Sequence, residues 1–167
     1  GDVWIAFTPD KEGANGIEHF PVDIFGAKRA YTIDGGIIGD FQDETFTAVN
    51  GQMKIYGLSN HPGTARGRMT NAVHLMAEVI SMIPAGERPE TTSDREGFIH
   101  PTDMAGDVET ASCRFIIRDF EMDKVLKREK SFVEAARAII SMYKGARLEW
   151  QSEISYKNMK EVLDKEP

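Results

Sequence analysis

The spacing of hydrophobic and polar positions divides the chain into two stretches of different character. Residues 3–8 (Val-Trp-Ile-Ala-Phe-Thr) are a short apolar run closed by Pro9. Runs of this kind predict strands buried on both faces of an α/β sheet. Residues 9–27 are rich in Gly, Pro and charge, with room for one short helix. Residues 28–33 and 37–41 predict two further strands around Asp34-Gly35-Gly36. From residue 45 the elements lengthen. Phe46 to Leu58 alternates as a strand. Residues 65–83 predict an amphipathic helix, because Met69, Ala72, Val73, Met76, Val79 and Ile83 recur three and four positions apart. Residues 98–104 and 108–120 predict two strands joined by a tight turn at 105–107. In the second, Cys113, Phe115 and Ile117 share one face, while Ser112, Arg114, Ile116 and Arg118 share the other. Residues 123–143 predict a second helix with Asp123 as N-cap, and 147–156 a last strand.

From residue 46 to 156 the order is therefore β-α-β-β-α-β. That is the split βαβ, ferredoxin-like pattern: an α+β fold with a four-stranded antiparallel sheet covered by two helices on one face. Residues 1–45 belong to a different, α/β sheet, with a boundary near 43–45, and a fresh helical pattern starts after 157. The chain opens inside a strand pattern and closes inside a helical one. The expectation is a segment of a longer protein.

Composition narrows the classes. The 167 residues carry 20 Lys and Arg against 27 Asp and Glu, a formal net charge of −7. An acidic balance counts against wrapping nucleic acid, which needs clustered cations, and against an RNA-binding use of the βαββαβ order. No apolar run reaches the roughly 20 residues of a membrane span. The single cysteine, Cys113, excludes an internal disulfide framework and a four-cysteine zinc site, and low cysteine use fits a reducing cytoplasm.

Three places carry candidate chemistry. Glu12 and Asp34 follow strand patterns, where α/β proteins place ligands; they read either as divalent-metal carboxylates or as solvated turn acids. His61, held in Asn60-His61-Pro62-Gly63, reads either as a hydrogen-bond donor to a substrate oxygen or as a surface histidine. Arg118, beside Asp119, reads either as a carboxylate clamp or as half of a structural ion pair. The stretch Asp34 to Gly39 lacks both the dinucleotide fingerprint and a P-loop lysine.

Taken together, Thr8-Pro9-Asp10-Lys11-Glu12, Tyr31-Thr32-Ile33-Asp34-Gly35-Gly36, Asn60-His61-Pro62-Gly63-Thr64-Ala65, Asn71-Ala72, Glu96-Gly97-Phe98, Ile116-Ile117-Arg118-Asp119-Phe120 and Ser155-Tyr156-Lys157-Asn158-Met159 occur in an order that resembles the peptidase T family. These are cytoplasmic zinc aminopeptidases acting on tripeptides. The resemblance implies that 1–45 is the last part of the first catalytic half. It implies that 46–156 is a ferredoxin-like lid that mediates homodimerisation, and that 157–167 begins the return to the catalytic domain. It further implies metal-assisted hydrolysis of a short peptide with two zinc ions, Asp34 binding one and Glu12 the other. His61 would polarise the scissile carbonyl, Arg118 would bind the peptide carboxylate, and Asn71 would be a further lid contact.

Two departures stand out. The family has its general-base glutamate where this chain has Lys11. A lysine, with a reference pKa of about 10.4, is protonated and has no lone pair with which to take a proton from water. Gly13-Ala14-Asn15 also departs from the usual loop. Second, the His-x-Asp motif, the bridging aspartate and the last histidine of the family have no counterpart here, so the metal set is incomplete. The expectation is a segment inactive by itself, from a tripeptide aminopeptidase. The other reading is a non-catalytic homologue or dimerisation module.

Overall fold

The structure is a computed structural model that describes residues 3–8, 19–33 and 37–165. The chain divides into two compact units, Gly1–Phe41 and Gln42–Pro167. Among the described residues the first contains one short helix, α1 (Val22–Phe25), ended by Gly26 at φ 63°. The strands expected over 3–8, 28–33 and 37–41 do not form among the described residues. Val3, Ile5, Phe7, Ile33 and Ile38 are exposed instead. An apolar run becomes a central strand only by pairing along both edges, and the described part of this unit offers these runs no ladder partner.

The second unit is built from β1 (Thr47–Tyr56), α2 (Ala72–Ser81), β2 (Phe98–Gly106), β3 (Thr110–Asp119), α3 (Met122–Ser141), β4 (Arg147–Tyr156) and the short α4 (Lys160–Leu163). The sheet order is β2-β3-β1-β4, with every adjacent pair antiparallel. This is the expected βαββαβ sheet. Alternation decides its two faces: Val49, Met53 and Ile55 of β1 and Cys113, Phe115 and Ile117 of β3 are buried. They meet Leu75, Met76 and Val79 of α2 and Val125, Phe132, Ala136 and Ile140 of α3 in one apolar core. Phe115 packs against Phe132 and Trp150 at centroid distances of 5.0 and 5.9 Å. The indole N–H of Trp150 donates to Glu129 at 2.9 Å, which satisfies its one polar atom. Burial also pushes the Cys113 thiol up to about 12, so it is a core residue without thiolate chemistry.

Helix starts differ from the sequence expectation. α2 begins at Ala72, not near 65, because Pro62–Thr64 is a separate 3-10 turn and Gly67 adopts φ 69°. A left-handed residue interrupts the helix although the apolar spacing of Met69 continues it. α3 begins at Met122 after Glu121, and Asp123 lies within its first turn rather than at the cap. There its negative charge meets the positive end of the helix dipole.

The connections into and out of this unit are tied together by Asn158, which is buried. Its Oδ1 accepts from the amides of Thr45 (3.1 Å) and Lys160 (3.0 Å). Its Nδ2 donates to Glu44 Oε1 (3.1 Å) and to the Phe120 carbonyl (3.0 Å). All four hydrogen-bonding positions of the carboxamide are thus used. Thr47 Oγ1 and Thr45 Oγ1 accept in turn from the amides of Asn158 and Met159.

Several carboxylates are held below their usual range: Asp107 by the amides of Thr110 and Glu109, Glu44 by Arg95, Asp103 by Arg114, and Glu149 by the Tyr56 hydroxyl and then Arg147. A carboxyl whose folded pKa is depressed stabilises the fold above its unfolded pKa and loses that contribution as pH falls. The urea midpoint is therefore expected to decline as pH drops from about 5 towards 2. A midpoint flat across that window, in stepped-pH urea titrations, contradicts this.

Candidate functional site

His61 sits on the loop between β1 and α2. The loop is closed at its base by an isolated bridge, Leu58 N–H to Thr70 O (2.7 Å) and Thr70 N–H to Leu58 O (2.9 Å). Within it, His61 precedes the 3-10 turn Pro62–Thr64, and its Nδ1 accepts from the Gly63 amide at 3.1 Å. Thr64 Oγ1 donates to Asn60 Oδ1 at 3.0 Å, bracing the same turn. The imidazole is exposed.

Asn71 lies just past the loop base. Its Oδ1 accepts from the amides of Val73 (3.0 Å) and His74 (3.4 Å), which makes it the N-cap of α2. Asn71→Ala is expected to cost about 1 kcal/mol of stability. Urea unfolding of the variant checks this, and an unchanged midpoint would rule out the capping role.

Arg118 is on the open face of the sheet, away from the helices. Cross-strand register places Phe98, Arg118, Ala48 and Tyr156 in one row across all four strands. The guanidinium carbon stands 5.9 Å from each of the Phe46, Phe98 and Tyr156 ring centroids. Its Nε is buried without a hydrogen-bond partner. Asp119 points to the other face and pairs with Arg128 at 3.1 Å. Arg118 is thus a cation held by three aromatic rings, with no ion pair among the described residues. A planar guanidinium held in this way can take a carboxylate in a bidentate fork.

The structure separates His61 from Arg118. Arg118 faces Ala48 at the start of β1, and His61 follows the other end of that strand. The eight residue steps from Ala48 to Tyr56 alone span roughly 26 Å at strand rise. A fully extended tripeptide covers only about 10 Å. The strand between the two positions is thus longer than an extended tripeptide.

Lys11, Glu12 and Asp34 lie outside the described residues. Among the described residues no group of three or more His, Cys, Asp or Glu is placed to hold a metal ion. Two carboxylates do not supply the four ligands that a zinc ion takes. The described residues therefore do not make a complete dizinc site. Sequence reasoning passed over the ring collar of Arg118, the Gly63 amide and the fourfold bonding of Asn158. The Asn158 motif was visible, but its partners are more than 100 positions away for Thr45 and Glu44.

Residues 44–143 match the peptidase dimerisation domain family. The chain belongs to that family, the α+β dimerisation domain of the M20 peptidases. Over its whole length it is a homologue of peptidase T, 42% identical to the enzymes of that name from Citrobacter koseri and Salmonella typhimurium. It spans 41% of the length of each. The fold is shared with aminopeptidase PepT of Bacillus cereus, with a TM-score of 0.70 at 18% identity over 87% of this chain and 39% of that one. A tripeptidase of Staphylococcus aureus superposes with a TM-score of 0.72 at 18% identity over 88% of this chain and 39% of its own.

Proposed function

We propose that the chain is the lid-bearing part of a peptidase-T-like zinc aminopeptidase, cytoplasmic and homodimeric through the lid, that removes the N-terminal residue from tripeptides. The observation that carries this is the 42% identity across the whole chain, which takes in the His61 loop and the Arg118 strand together. In this reading Arg118 takes the peptide carboxylate and His61 donates a hydrogen bond to the oxygen of the scissile carbonyl. Their separation along β1 favours a site that draws the two from two copies, as a homodimer would.

Catalysis needs what this chain does not supply. A protonated Lys11 does not take a proton from water, and the carboxylates Glu12 and Asp34 leave the metal set incomplete. The purified chain with added zinc is expected to show no tripeptide cleavage above a metal blank; turnover above it would sink the inert-segment reading. Lys11 also favours a second reading, a non-catalytic homologue that uses the domain only for dimerisation. The longer protein, assayed with Lys11 and with Lys11→Glu, separates the two. Cleavage by the glutamate form supports enzyme ancestry, and failure of both forms to bind zinc overturns the enzyme reading.

A further inference from the structure

The loop around His61 decides which nitrogen of the imidazole carries the proton. Pro62 has no N–H, so Gly63 supplies the first amide of the 3-10 turn that needs a partner. His61 Nδ1 takes that amide at 3.1 Å. An Nδ1 that accepts a hydrogen bond is unprotonated, and in a neutral imidazole the proton then sits on Nε2. The contact is close. A Cβ built on Gly63 would lie 3.2 Å from both Nδ1 and Cε1 of His61, so a side chain at 63 would push the ring back by a few tenths of an ångström. The backbone of His61 is held by the same turn: its carbonyl accepts from the Thr64 amide at 2.9 Å and from Thr64 Oγ1 at 3.4 Å.

We propose that Gly63 is a positioning residue for His61, its amide holding the imidazole as the Nε2–H tautomer so that the loop presents one outward hydrogen-bond donor. A donor, and not a base or a metal ligand, is then what His61 offers a ligand: Nδ1 is occupied by Gly63, and Nε2 already carries its proton. This rests on the reading of His61 as the group that meets a carbonyl oxygen. Oxyanion-type stabilisation requires a donor fixed in advance, and the turn fixes it by a bond two residues away.

The test uses the full chain, labelled with nitrogen-15, in mildly alkaline buffer. Long-range proton–nitrogen correlation reads the His61 tautomer, and a scalar coupling across the N–H···N bond reads the Gly63 contact directly. The expected result is a single Nε2–H tautomer with a measurable Gly63–Nδ1 coupling. Gly63→Ala keeps the amide but crowds the ring; there the coupling should weaken and tautomer averaging increase, with the other amide signals in place. An Nδ1–H tautomer, or a mixture of tautomers without coupling in the unaltered chain, overturns the proposal. In the longer protein carrying Lys11→Glu, Gly63→Ala is expected to lower kcat about tenfold, as sub-ångström misplacement of a catalytic group does, with KM little changed. If His61→Ala leaves kcat unchanged while the tautomer is as stated, the function assigned to His61 fails and the positioning by Gly63 stands.

Discussion

Gly51→Ala is expected to destabilise the βαββαβ unit by about 3 kcal/mol, at the upper end of what overpacking costs. Gly51 occupies the helix-facing side of β1, opposite Phe115 on one neighbour and Ser152 on the other. A Cβ there would lie 2.1 Å from Cη2 of Trp150, inside any permitted contact. The indole cannot simply turn away. Its N–H is bonded to Glu129, and its ring packs on Phe115 and Phe132 at centroid distances of 5.9 and 6.0 Å. The absence of a side chain at 51 is thus what lets β4 bring Trp150 over the centre of the sheet. Trp150→Leu should cost stability alone yet rescue part of the Gly51→Ala loss. A double-mutant cycle in urea is expected to show coupling of about 1–3 kcal/mol. Strict additivity would mean that the two positions do not compete for the same space.

Asn158→Ala is expected to cost about 3 kcal/mol and to loosen the base of the unit before its core. The substitution leaves the amides of Thr45 and Lys160 and the carbonyl of Phe120 without their partner, in a site where Asn158 is only 5% exposed. Unsatisfied buried groups cost about 1–3 kcal/mol each, offset here where water reaches the outer ones. Asn158→Asp is the sharper probe. It keeps the acceptor but loses both donors and sets a second carboxylate against Glu44. It should therefore be less stable than Asn158→Ala at neutral pH and recover in acid, where one of the two carboxyls takes a proton. Hydrogen exchange at Thr45, Asn158, Met159 and Lys160 should accelerate while amides in β3 stay protected. Uniform acceleration would show that the tie is not a separate unit of stability.

What could be read from the sequence followed the range of the interactions. β3 was legible because one face is buried: the period of two in Cys113, Phe115 and Ile117 against Arg114, Ile116 and Arg118 admits only one assignment. The order of the elements then gave the antiparallel sheet, since adjacent strands of a split βαβ have few alternatives. The start of α2 was misread because apolar spacing carries no information on φ, and the left-handed Gly67 ends the pattern that Met69 continues. The runs at 3–8, 28–33 and 37–41 were misread for a different reason. A buried strand is a property of its neighbours, and the described residues provide none.

The candidate site divides in the same way. His61 and Arg118 were visible from motifs, whereas their separation along β1 was not, because distance between sequence motifs is set by the sheet. Arg118 beside Asp119 suggested an ion pair. Alternation along β3 instead sends Asp119 to Arg128 and leaves Arg118 among Phe46, Phe98 and Tyr156.

A lid exchange tests the central claim most directly. Residues 44–158 of this chain are placed in peptidase T of Salmonella typhimurium in place of the matching segment, so that a catalytic domain with its own metal ligands carries this lid. The account predicts that the chimera keeps the host's peptidase activity, and that His61→Ala within it lowers kcat by about a hundredfold, the cost of losing one preorganised donor. A chimera that folds and binds zinc but cleaves nothing, or one whose activity ignores His61, would contradict it.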